Sequence, residues 1–230
     1  MFFNLISTLH ATNAFISGSF ALYWYLNQHV GQVDLPEKSD LDIYVPITTV
    51  ASYRHIQICL NSFDLLLEES GYKRDGNLIH SGYYNSAYIR DVQTYTHEKT
   101  HRSIQIIFVA QPQEYRPIFP TDVTSTFDLD ICKFVVNSDL EVTVPETFKK
   151  MSVEEIHSRL NQKLMTQTLE NVLPKNMNKY LARLEKYYQR GFKVEVTEPC
   201  STCKCSTVKR VLTLDEAREV VINELQPRIM

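Results

Sequence analysis

The chain has 230 residues, enough to bury the core of one domain or of one domain with a small appendage, and its 43% apolar and 22% charged residues exclude wholesale disorder. A net charge of −3 argues against a surface given over wholly to nucleic acid, while leaving room for a local basic face. No apolar run reaches the eighteen or so residues of a membrane span, so no membrane partner is expected. The apolar start (residues 1–6) lacks the basic stretch of a signal peptide and breaks at His10 and Asn13. The five cysteines are an odd number, and Cys200, Cys203 and Cys205 crowd together. That usage fits free thiols in a reducing compartment, and a cytoplasmic location is expected.

In chain order, residues 14–17 form a short apolar strand or helix lead-in closed by Gly18 and Ser19. Residues 20–26 read as a helix with Phe20, Tyr23, Trp24 and Leu26 available for a buried face. A polar loop with Gly31 and Pro36 leads to a half-buried strand in which Leu41, Ile43 and Val45 alternate with Asp40, Asp42 and Tyr44, ended by Pro46. Residues 50–69 predict an amphipathic helix on Ile56, Leu60, Phe63, Leu66 and Leu67, stopped at Gly71. Strands are expected over 87–97 and 103–109, with Glu98, Lys99 and Thr100 between them as a hairpin turn. A further strand is expected over 127–136. Beyond Pro145 the spacing predicts helices over 146–169, 176–190 (closed by Gly191) and 214–225, the last with Asp215 and Glu216 in its first turn.

Two features in this order carry chemistry. Gly18 and Ser19 open a helix, and Asp40 and Asp42 stand two apart on a strand. Side chains at i and i+2 of a strand share a face, roughly 7 Å apart. Two carboxylates held there repel unless a cation lies between them, and magnesium, a hard ion that takes oxygen ligands, suits the pair. Glycine at 18 lets the backbone approach a phosphate closely. The Ser19 amide and hydroxyl, with the helix N-terminus, then supply donors.

The run Ile16-Ser17-Gly18-Ser19-Phe20-Ala21-Leu22, followed by Ser39-Asp40-Leu41-Asp42-Ile43-Tyr44-Val45, resembles the motif of the DNA polymerase β-like nucleotidyltransferase superfamily, in its divergent fungal and large-DNA-virus form. The resemblance covers about the first 135 residues. It implies an α+β nucleotidyltransferase fold, a mixed sheet with helices on one face, and a nucleoside triphosphate as partner. It also implies magnesium or manganese held by Asp40 and Asp42, in a two-ion scheme that activates an acceptor hydroxyl. The spacer from Ser19 to Asp40 is about twenty residues, longer than usual, a difference that an inserted loop absorbs at small cost. The family's third acid falls, by context, at Gln105, which carries no charge. Asp128 is then the candidate for the missing catalytic carboxylate, with Asp130 beside it. Both also read as structural: Asp128 as a strand-end cap and Asp130 as a solvent-facing residue.

Cys200-x-x-Cys203-x-Cys205 has the spacing of a partial zinc site, with Cys132, His157 or water to complete it; free thiols in a loop are the plainer reading. Arg183, Lys186 and Arg190 share one helical face that suits phosphate, or they form the solvated side of a core stripe made by Tyr180, Leu184 and Tyr187. His97 and His101 flank the hairpin turn, where solvent exposure is the default.

The expectation is therefore a nucleotidyltransferase-like core over 1–145 and a mainly helical C-terminal extension over 146–230 carrying the cysteine-rich loop. The enzyme reading is metal-dependent transfer of a nucleoside monophosphate to a hydroxyl on protein, nucleic acid or small molecule. The alternative is a catalytically impaired module of the same fold that acts by binding. A third reading is a zinc-stabilised interaction protein. Gln105 is the residue that separates the first two.

Overall fold

The computed structural model describes residues 2–31, 33–36, 39–47, 53–76, 79–80, 88–110, 117–199 and 206–228. The chain is α+β and divides into two compact units, one of Met1–Thr126 and Cys132–Val144, the other of Phe127–Ile131 and Pro145–Met230. Among the described residues no helix is long and apolar enough to cross a membrane.

The first unit opens on helix α1 (Phe2–Thr12), which has no counterpart in the expectation from sequence. Its polar residues blur the apolar period, and Thr8 and Thr12 turn their hydroxyls back onto the carbonyls of Asn4 and Thr8. Strand β1 (Phe15–Ser17), helix α2 (Ser19–His29) and strand β2 (Leu41–Pro46) follow where expected. The buried side of α2 is Ala21, Leu22, Tyr23, Tyr25 and Leu26; Phe20 and Trp24, expected there, are half-buried and stack on each other instead. Helix α3 (Tyr53–Glu68) buries the five predicted residues Ile56, Leu60, Phe63, Leu66 and Leu67. Truncating a fully buried phenylalanine such as Phe63 costs about 3–5 kcal/mol.

Strands β3 (Tyr72–Arg74), β4 (Ile79–His80), β5 (Ile89–His97) and β6 (Ser103–Val109) come next, then the short helix α4 (Pro120–Thr124) and strands β7 (Val135–Val136) and β8 (Val142–Thr143). The described strands form a mixed sheet in the order β3-β5-β6-β2-β1-β7-β8, with β4 also on β5; β2 and β6 are parallel and the other pairs antiparallel. His97 shapes the β5–β6 turn by accepting the Lys99 and Thr100 amides on Nδ1, so the turn accounts for it. Helix α3 is tied to the sheet by a buried tyrosine: the Tyr95 hydroxyl donates to Asp64 at 2.7 Å, and Arg74 reaches the same carboxylate at 3.2 Å. Burial first, then the neighbouring Asp64, pushes the Tyr95 hydroxyl well above the usual tyrosine range.

Residues 127–136 do not form the expected strand. Leu129 makes an isolated bridge to Gln167, residues Asp130–Cys132 turn as a 3-10 helix, and only Val135–Val136 joins the main sheet. The reason is local: the Asp130 carboxylate accepts the backbone amides of Ile131 and Thr166, each at 2.8 Å, which competes with a strand ladder. Asp130 is 1% exposed, so it does not face solvent.

The second unit holds α5 (Val153–Asn161), β9 (Leu164–Met165), α6 (Met177–Gln189), β10 (Lys193–Pro199), β11 (Thr207–Val211) and α7 (Leu214–Leu225). The long helix expected over 146–169 is shorter. A capping box of Ser152 and Glu155 starts it, and Lys163, at φ 53°, follows its end. Three strands in the order β11-β10-β9 join the three helices. Arg159 of α5 and Glu195 of β10, both nearly buried, pair beside Asp130 and Thr166.

Burial pushes the Asp130 carboxyl from its ordinary 3.8 up to about 6, against the pull of the Thr166 and Ile131 amides and of Arg159. A folded-state value above the unfolded one gives stability that is complete below 3.8 and lost as pH rises through about 6. The Asp130→Asn protein escapes that loss. Its stability relative to wild type should rise by about 2 kcal/mol between pH 4 and pH 7 in urea titrations, and parallel pH profiles would show that the carboxyl titrates normally.

Candidate functional site

The site starts at the corner between β1 and α2. Gly18 takes φ 79° and ψ −153°, a conformation open to glycine and strained for other residues. Its amide donates to the Cys132 carbonyl at 3.1 Å. Helix α2 then begins at Ser19, which is 9% exposed, and Leu22 is the first residue to donate back into the helix, onto Gly18 at 3.3 Å. The amides of Ser19, Phe20 and Ala21 thus fall in the first turn, where helix geometry leaves donors without intrahelical partners and the dipole favours an anion.

Asp42 lies on β2, paired in register with Ser17 of β1. A methyl group built on Gly18 would stand 3.0 Å from Asp42 Oδ2. The glycine therefore makes room for the carboxylate. Asp40 sits one residue before β2, at the same parity as Asp42, and both are half-buried. The stacked rings of Phe15 and Tyr44, 5.1 Å apart, mark this face of the sheet farther along the same strands.

On its other side Asp42 is in register with Gln105 of β6, and Gln105 with Thr94 of β5. The row across four strands is Thr94, Gln105, Asp42, Ser17, so Asp42 is its one ionisable member. Among the described residues, no group of three or more His, Cys, Asp or Glu side chains is placed to hold a metal ion. The donor set at hand is two carboxylates of hard oxygen, which fits magnesium or manganese with the remaining ligands from phosphate and water.

The other candidate residues are placed as follows. Asp128 belongs to the second unit, where its carboxylate pairs with Arg183 of α6 and its carbonyl accepts the Thr168 amide at 2.7 Å. Tyr180, Leu184 and Tyr187 are the buried stripe of α6, and Arg190 stacks its guanidinium on Tyr187 at 5.4 Å. The helix is thus accounted for by core packing and ion pairs. Cys200, Cys203 and Cys205 lie outside the described residues. Cys132 is buried, and its backbone carbonyl accepts the Gly18 amide and the Ser17 hydroxyl at the corner.

One residue at this corner was not singled out from sequence. Ser17 is fully buried, and its hydroxyl reaches the Phe134 carbonyl at 2.7 Å and the Cys132 carbonyl at 3.2 Å. The only signal in the sequence is a hydroxyl closing an otherwise apolar Ala-Phe-Ile run.

No protein-family model and no curated protein matches this chain. Among solved structures, a CCA-adding enzyme in complex with ATP is similar at 12% identity and a TM-score of 0.46 over 85% of this chain and 39% of that one. The same kind of enzyme in complex with CTP gives 14% and 0.45 over 85% and 40%. A tRNA-processing enzyme complex gives 12% and 0.41 over 83% and 42%. The chain spans about two fifths of the length of these structures.

Gly18→Ala should destabilise the first unit by about 2–4 kcal/mol, from the positive φ and the contact with Asp42. In a denaturation cycle the cost should shrink by about 1 kcal/mol when Asp42 is also alanine. A cost unchanged by Asp42→Ala would mean that the carboxylate does not press on this corner.

Proposed function

We propose that the first unit is a nucleotidyltransferase-type module that binds a nucleoside triphosphate with magnesium or manganese and transfers its nucleoside monophosphate to a hydroxyl. The observation that carries the reading is the glycine corner pressed against Asp42 at the N-terminus of an eleven-residue helix. Such an arrangement places amide donors beside a carboxylate, which suits a triphosphate whose charge is shared with a cation. In this reading Asp40 and Asp42 hold the ion, while Gly18, Ser19 and the first turn of α2 hold phosphate oxygens. The ion would supply charge neutralisation on the triphosphate. The acceptor oxygen forms a bond to the α-phosphorus as the bond to the bridging oxygen breaks. The acceptor proton leaves to solvent or base, and pyrophosphate departs.

The register of Gln105 against Asp42 favours a second reading, a module that binds nucleotide without transfer. An amide oxygen accepts a hydrogen bond but adds no charge, so a second cation would find fewer anionic ligands in this row. Two carboxylates alone also leave most of an octahedral shell to be filled by phosphate and water. Metal and nucleotide should therefore bind each other's complex far better than either binds alone.

Thermal melts of wild type and Asp42→Asn, with and without ATP and magnesium, test the site. Saturation a hundredfold above Kd adds about 2.7 kcal/mol, which raises the wild-type melting temperature by roughly 5–10 °C. Asp42→Asn should lose that rise, and without ligand it should melt at or above the wild-type temperature because one of two like charges is gone. Transfer of label from α-labelled ATP then separates transfer from binding alone. A wild type that gains nothing from ATP and magnesium would remove both readings.

A further inference from the structure

Gly18 does not hold its own conformation; something must fix it. Strand β1 is only three residues long and ends on Ser17, whose side chain is fully buried. A hydroxyl in such surroundings needs a partner, and the Phe134 carbonyl at 2.7 Å supplies it, with the Cys132 carbonyl at 3.2 Å on the same side. The next amide along, that of Gly18, donates to the Cys132 carbonyl at 3.1 Å. Two consecutive residues thus grip the segment 132–134, and the first of them is the register partner of Asp42.

We propose that Ser17 is a positioning residue of the candidate site. It touches no ligand, but it ties the end of β1 to residues 132–134 and so sets the rotation of Gly18, the place left for the Asp42 carboxylate, and the direction of the first amides of α2. Without the hydroxyl, the Phe134 carbonyl loses this short bond, and the corner keeps the Gly18 amide and the backbone pairing of Ser17 with Val135 as anchors, neither of which fixes the turn after β1 from the side-chain direction. The effect on ligand rests on the nucleotide reading of the site; the effect on the corner itself does not.

The test compares Ser17→Ala and Ser17→Cys with a control, Tyr95→Phe. Cysteine keeps most of the volume filled while donating weakly, so it serves where alanine does not fold. Tyr95→Phe also removes a buried side-chain hydrogen bond from the same sheet, but one that goes to Asp64 of α3 on the face opposite Asp42. Hydrogen exchange of the Gly18 amide, read against core amides such as that of Ile106, reports on the corner directly. We expect Gly18 to exchange at least about tenfold faster in the Ser17 variants and at the wild-type rate in Tyr95→Phe, because a constraint worth one hydrogen bond is lost at that corner alone. ATP–magnesium affinity by calorimetry should fall about tenfold in the Ser17 variants and stay unchanged in Tyr95→Phe. Equal Gly18 exchange in wild type and the Ser17 variants overturns the inference whatever the ligand does. Faster exchange in a protein whose wild type binds no ATP–magnesium overturns the nucleotide reading and leaves Ser17 without a role toward a ligand.

Discussion

A carboxylate oxygen and a chain corner share one space in the first unit, and much of the candidate site follows from that. With Asp42 Oδ2 3.0 Å from where a Cβ at 18 would stand, and with a φ of 79°, the corner strongly favours glycine. Glycine is free to leave this conformation as well as to adopt it, so the surroundings must hold it. The carbonyls of Cys132 and Phe134 do so, one through the Gly18 amide and both through the Ser17 hydroxyl. Helix α2 leaves the sheet from this clamped point, and its first amides inherit their direction from it.

Charge sets the second constraint. Neighbours in register on adjacent strands lie about 5 Å apart, close enough for a third carboxylate beside Asp42 to be strongly felt. At that place stands Gln105, and beyond it Thr94. A neutral row lowers the repulsion that Asp42 must bear in the metal-free protein, and it lowers the pull on a cation by the same token. On the proposed nucleotide reading, that balance favours an ion that arrives with its own anionic ligand, as a nucleotide complex does. Asp128 and Asp130 carry charge in the second unit, where Arg183 and the amides of Ile131 and Thr166 engage them.

The parts legible in the sequence are those written in periodicity. A dense apolar run marked β6 over Ser103–Val109, and helical spacing with an acidic first turn did the same for α7 over Leu214–Leu225. The spacing of Asp40 and Asp42, together with the family resemblance carried by Gly18 and Ser19, suggested carboxylates on the face of the glycine corner. Other features depended on partners far along the chain. The bond from Ser17 to Cys132 spans 115 residues, and no local pattern announces it. Asp130 looked like a strand residue because Leu129 and Ile131 flank it, yet a side-chain bond to its own neighbour's amide bent the chain into a turn. Helix α1 escaped notice because its polar residues satisfy themselves on the preceding turn.

The central proposal is that a cation and a nucleotide meet beside the Gly18 corner, at the Asp42 carboxylate. Manganese broadens the NMR signals of nuclei near it, which locates the ion without requiring turnover. Adding trace manganese together with ATP should broaden the backbone amide signals of Gly18, Ser19, Asp42 and Gln105 before those of the rest of the chain, and manganese alone should do so far more weakly. Equal broadening with and without ATP, or broadening centred on other residues, would contradict the account.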